Sequence, residues 1–173
     1  MFNNIIFIGG IHGSGKGSMC SNLRKNLNIE HMTASDILNW SDISPEVGNK
    51  LVTDISFTQD RLIDGLKKRI LPDKIYLLDG HFCLFDSNGC VENIPMDTFT
   101  KIDPIIISVV VSDPKLIVKR LSNRDKRNYD LKLIDNMQKR EIEYGKEVAN
   151  KLNIPFVLVE RDLSPLLQSI NQA

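Results

Sequence analysis

The sequence holds no excess of either charge: 22 Lys and Arg balance 22 Asp and Glu. That neutrality argues against a nucleic-acid coat or a membrane-surface module, both of which need a basic face, so no DNA or membrane partner is expected. A long apolar run is also missing. The apolar stretch near the start stops at Gly9, and no basic segment precedes it. Neither a signal sequence nor a membrane span is expected, and the chain is read as cytoplasmic. Cysteine is scarce. Cys20, Cys83 and Cys90 are odd in number and contain no Cys-x-x-Cys pair. They read as free thiols of a reducing compartment rather than as a disulfide framework or a zinc site. No repeat, low-complexity tract or flexible linker interrupts the chain, and 173 residues suffice for one domain with a real core.

What is present is concentrated near the start. Ile5-Ile6-Phe7-Ile8 feeds the glycine-dense stretch Gly9-Gly10-Ile11-His12-Gly13-Ser14-Gly15-Lys16-Gly17-Ser18. Gly10, Gly15 and Lys16 fit the Gly-x-x-x-x-Gly-Lys spacing of a phosphate-binding loop. A polyphosphate needs several donors converging on one small volume. Backbone N–H groups form such a cradle where side chains stay away and some residues take positive φ. The helix that opens next adds unpaired N–H groups and a favourable dipole. His12, Gly13, Ser14, Gly15, Lys16, Gly17 and Ser18 are therefore the candidate ATP-binding residues, with Lys16 following the terminal phosphates.

The remaining pattern alternates strand and helix. It predicts an α/β fold with five parallel strands and helices on both faces. The helices are expected near 16–26, 48–70, after Asp113-Pro114, along Ile134 to Leu152 and at 163–170. Strands are expected at Ile29 to Met32, Ile75 to Asp79, Ile105 to Val111 and Pro155 to Val159. A break is read at Ser44-Pro45, and a short helix with capping residues runs through Thr33 to Trp40. Segment 34–70 would hold the acceptor. Segment 80–104 is long for a loop, and its turn signal at Asp86-Ser87-Asn88-Gly89 suggests a hairpin, either over a substrate site or as a structural flap. Segment 122–131 is polar and reads as a short lid.

Asp79 ends an apolar strand, at the sheet edge where open α/β sheets bind ligands. A carboxylate there suits Mg²⁺. His81 stands two residues on, as a site residue or a structural one. Arg120 and Arg124 share a helix face, and Arg127 follows. Guanidinium groups stabilise a transferring phosphoryl group without titrating.

These motifs resemble a family. Gly-Ser-Gly-Lys-Gly-Ser is similar to the phosphate loop of adenylate kinases and other nucleoside monophosphate kinases, which implies Ser18 near the metal with Asp79. Arg120-Leu-Ser-Asn-Arg124 resembles their lid sequence. Leu78-Asp79-Gly80-His81, Asp60-Arg61-Leu62-Ile63-Asp64-Gly65 and Leu133-Ile134-Asp135-Asn136 with Glu141-Ile142 resemble the small nuclear and archaeal-type group, the coilin-interacting ATPases. Ser35-Asp36-Ile37-Leu38 is similar to the Gly-Asp-Met-Leu helix of the monophosphate site. The resemblance implies catalytic roles for Lys16, Asp79, His81, Arg120 and Arg124. It implies acceptor contacts from Ser35, Asp36, Arg61, Phe82 and Arg127. Three positions depart from other adenylate kinases. Asn39 stands in place of one arginine, His81-Phe82-Cys83 replaces Phe-Pro-Arg, and His12 replaces a common proline. The expected activity is γ-phosphoryl transfer from MgATP to a nucleoside monophosphate. A shikimate- or gluconate-type kinase and a slow ATPase switch with a protein or RNA partner stay open beside it.

Overall fold

The computed structural model describes residues 2–38, 51–52, 55–86 and 90–173. The expected Ser44-Pro45 break, the helix start at Gly48, the positions Asn39 and Trp40, and the turn centre Ser87-Asn88-Gly89 lie outside them.

The centre is a five-stranded, wholly parallel sheet. Its strands are β1 (Ile5–Gly9), β2 (Ile29–Thr33), β4 (Ile75–Asp79), β7 (Ile106–Val110) and β8 (Phe156–Val159), in the order β2-β4-β1-β7-β8. Alternation assigns the side chains. Ile5, Phe7, Tyr76, Leu78, Ile107 and Val109 enter one apolar cluster with Leu62, Leu66, Phe99 and Tyr144. Ile6, Ile8, Leu77, Ile106 and Val110 enter a second cluster with Met19, Cys20, Leu23 and Leu166. Strand side chains alternate faces, so unbroken apolar strands need cover on both sides. On the first face the cover is α3 (Ile55–Lys67), α4 (Met96–Ile102) and α6 (Leu131–Leu152). On the second it is α1 (Lys16–Asn26) and α7 (Ser164–Gln172). Ile11, with Ile117, Leu121, Ile134 and Met137, forms a third cluster that seats α5 (Pro114–Asp125) and α6 beside the phosphate loop.

Three elements differ from expectation. The long helix expected from Gly48 is described as a strand, β3 (Leu51–Val52), followed by α3. Segment 80–104 forms the expected hairpin, β5 (Cys83–Asp86) against β6 (Val91–Asn93), with Phe85 opposite Val91. β3 joins β5 in parallel and makes a second small sheet. The same segment also holds α4, which has one turn of apolar spacing, Phe99 and Ile102, as its only helical signal. α5 runs to Asp125 and α6 starts after Asp130, so the expected lid shrinks to the link 126–130. Asp113 and Asp130 cap these helices by accepting from the N–H groups of Lys115 and Leu133. Among the described residues no helix is long and apolar enough to cross a membrane.

Candidate active site

Parallel register brings the ends of β1, β4 and β2 to one edge: Ile8 lies beside Asp79, and Asp79 beside Thr33. A cavity of about 900 Å³ opens there. Its floor is the phosphate loop. Gly10 has φ +133°, and a Cβ on it would lie 2.5 Å from the carbonyl oxygen of Val110. Gly15 caps α1 in the left-handed region, and a Cβ on Gly15 or Gly17 would meet nothing within 4 Å. The loop is therefore closed toward the core and open toward the cavity. Ser14 is buried on its floor, with Oγ lacking a hydrogen-bond partner among the described residues.

Lys16 leans across the loop. Its Nζ donates to the carbonyls of Gly10 at 2.5 Å and Ile11 at 3.3 Å, and lies 3.7 Å from an Asp79 oxygen. Burial pushes this ammonium below the usual lysine range, while Asp79 and Glu141 pull it back up.

Glu141 is the unexpected member. It is 0% exposed, on α6. Its carboxylate accepts from the N–H groups of Gly10, Phe82 and Cys83, each at 3.0 Å at its shortest. One oxygen lies 3.7 Å from Nδ1 of His81. Burial raises its pKa, and Lys16 and the three backbone donors oppose the rise. All three backbone partners donate, so the group is held as a carboxylate that ties the phosphate loop, the turn after β4 and α6 together. The sequence did carry a signal: an acid on the stripe Ile134, Met137, Glu141, Tyr144, Val148, where an apolar residue belongs.

Lys16, Asp79, His81, Arg120 and the loop from His12 to Ser18 all line the cavity. The rings of His12 and His81 lie 4.5 Å apart, tilted by 59°. Arg120 Nη1 donates to the Gly13 carbonyl at 2.9 Å and to Ser112 Oγ at 3.3 Å. Arg124 is instead clamped by Asp125 at 2.6 and 2.8 Å. Arg127 lies over the Tyr129 ring, 4.7 Å from its centroid. Neither of these two lines the cavity.

Ser35 and Asp36 also line the cavity, as do Thr33, Gln59 and Thr98. Arg61 does not line it; its guanidinium donates to the Leu38 carbonyl at 3.3 Å. Phe82 is a core residue, stacked on Phe99 at 5.2 Å and edge-on to Phe7 at 5.0 Å. Glu160, Arg161 and Leu163 after β8 also line the cavity, which the motifs did not indicate.

Comparison with known proteins agrees with this geometry. Residues 9–138 match the family model AAA_17, described as an AAA domain. The chain belongs to the AAA_17 family. Curated relatives match the chain more weakly. The adenylate kinase of Lactococcus lactis subsp. cremoris (strain MG1363) is 26% identical over 128 residues, covering 69% of this chain and 59% of that protein. The AAA_17 chain thus matches less than two thirds of that relative's length. UMP-CMP kinase 2 of Caenorhabditis elegans is 44% identical over 36 residues, 21% of this chain and 19% of that one. A gluconokinase from Sinorhizobium meliloti 1021 shares the fold of this AAA_17 protein with TM-score 0.56 at 12% identity, over 97% of this chain and 89% of that one. TT1252 from Thermus thermophilus shares it with TM-score 0.52 at 12% identity, over 99% and 98%. The narrower likeness to the coilin-interacting group rests on the sequence motifs alone.

Proposed function

We propose that this P-loop kinase transfers the γ-phosphoryl group of MgATP to a small acceptor, with a nucleoside monophosphate as the first candidate. The observation that carries the reading is the convergence of Lys16, Ser18, Asp79 and Arg120 on one cavity that Ser35 and Asp36 also line. The open face at Gly15 and Gly17 and the buried Ser14 hydroxyl fit a phosphate tail. Ser18 and Asp79 offer the oxygen donors that suit Mg²⁺, and the ion, when bound, neutralises charge on the β- and γ-phosphates. Lys16 exchanges its loop carbonyls for phosphate oxygens. Arg120 meets the charge that develops on the transferring group. Glu141 keeps the Gly10 amide and the turn bearing His81 in register. The acceptor oxygen attacks phosphorus in line, the bond to the ADP oxygen breaks, and no covalent enzyme intermediate is needed.

A second reading, a non-nucleotide acceptor as in the gluconate-type kinases, has its own support. Among the described residues, the wall of Thr33, Ser35, Asp36, Gln59 and Thr98 carries no Lys or Arg. Gln59 is 5% exposed, and its Oε1 lacks a hydrogen-bond partner among the described residues. Such a wall suits a hydroxyl or amine donor better than a phosphate. One coupled assay with ATP and a panel of monophosphates, sugar acids and water decides. Fast turnover with a single monophosphate supports the first reading, and turnover with a sugar acid only supports the second. Phosphate release that ignores every acceptor overturns both.

A further inference from the structure

On the face of the sheet covered by α1, three side chains from three elements converge: Cys20 of α1, His31 of β2 and Asp79 at the end of β4. His31 pairs with Leu77 in the parallel register, and Asp79 lies two residues beyond Leu77, so all three share a face with the Cys20 thiol. One ligand atom of each lies within 4.8 Å of the others. Cys20 is fully buried, and Nε2 of His31 is buried with no hydrogen-bond partner among the described residues.

We propose that Cys20, His31 and Asp79 form a binding site for a divalent ion of the zinc class, and that its occupation draws Asp79 away from MgATP. The sequence hides the site because its ligands are not a Cys-x-x-Cys pair. Tetrahedral bonds of about 2.0–2.3 Å put ligand atoms roughly 3.3–3.8 Å apart, so torsions of these side chains close the present spacing. Thiolate with imidazole selects zinc or cobalt(II) over Mg²⁺, which prefers oxygen alone. A fourth ligand would be water drawn from the cavity that Asp79 lines. Binding releases one proton, from the Cys20 thiol, as the sulfur–metal bond forms; His31 enters neutral. The site stands apart from the kinase reading, whereas the inhibitory consequence rests on it.

Cobalt(II) is the optical probe, added to the whole chain after chelator treatment. One equivalent is expected to give a thiolate-to-cobalt charge-transfer band and the intense visible bands of a tetrahedral centre, both erased by Zn²⁺. Cys20→Ser should lose the charge-transfer band, His31→Asn should weaken binding more than about tenfold, and Cys90→Ser should behave as the parent. Weak octahedral bands only, or a spectrum that survives Cys20→Ser or vanishes in Cys90→Ser, overturns the site. Should Cys20→Ser fail to fold by circular dichroism, His31→Asn alone decides, since His31 is partly exposed. Calorimetry then tests the consequence without turnover. Zn²⁺ at fixed Mg²⁺ should weaken ATP binding by the parent and not by His31→Asn, and equal weakening of both overturns the inhibitory half. Failure of ATP binding in every protein, with the cobalt spectrum intact, would count against the kinase reading and leave the metal site standing.

Discussion

The main-chain N–H of Gly10 donates to the Glu141 carboxylate at 3.0 Å, across 131 positions of sequence. Two further N–H groups, of Phe82 and Cys83, share that carboxylate. Glu141→Gln keeps the shape and turns an NH₂ toward backbone donors. The expected result is a loss of about 3 kcal/mol in urea unfolding, together with weaker ATP binding by calorimetry. Unchanged stability would mean that the carboxylate is dispensable to the loop.

Arg120 and Arg124 are four residues apart on α5, yet only Arg120 reaches the cavity. Arg120→Ala is expected to lower kcat about a hundredfold, the usual scale for a charge-stabilising donor. Arg124→Ala should lower it far less, because Asp125 already holds that guanidinium. The steady-state kcat of the two variants checks this. A larger loss from Arg124→Ala would show that the Arg124–Asp125 pair opens during turnover.

Lys16→Ala removes the ammonium that bridges the Gly10 carbonyl and Asp79. Phosphoryl transfer should fall by more than about a hundredfold. Retention of full activity would remove the cradle from the mechanism.

A Cβ on Gly9 would stand 2.1 Å from the Phe82 ring. Gly9→Ala should therefore cost about 2–3 kcal/mol through overpacking, and Phe82→Leu in the same chain should recover part of it. Thermal unfolding of the single and double variants measures both.

Burial pushes the Cys83 thiol up to about 12 from 9.0. The folded chain then holds a proton that the unfolded chain loses above pH 9, so this contribution to stability is present below 9 and lost as pH rises toward 12. The parent should lose stability faster than Cys83→Ser above pH 9, by about 1.4 kcal/mol per pH unit. Lys16, shifted downward, acts in the opposite sense in both proteins and cancels in the difference. Urea titrations from pH 8 to 10.5 provide the comparison.

The parallel sheet, the phosphate loop and the capped start of α5 were readable because each is local: an apolar run, a glycine spacing, an Asp-Pro pair. The five strands and Lys16, Asp79 and Arg120 follow from such signals. Glu141 was marked on its helix but not as the tie to Gly10, since that contact joins segments no periodicity connects. α4 escaped because one turn of apolar spacing, Phe99 to Ile102, is too short to separate from a loop. Phe82 shows the reverse failure: next to His81 it looks like a ligand contact, while the absence of a side chain at Gly9 draws its ring into the core.

The register of β1 has a consequence for synthesis. Ile6 sits between Leu77 and Ile106, so during synthesis β1 waits for one neighbour about seventy residues away and another about a hundred away. Until both arrive, its five buried residues form an uncovered apolar ribbon. The nascent chain must keep that ribbon from other chains, and a pause before Ile106 is the interval in which it is most exposed to aggregation.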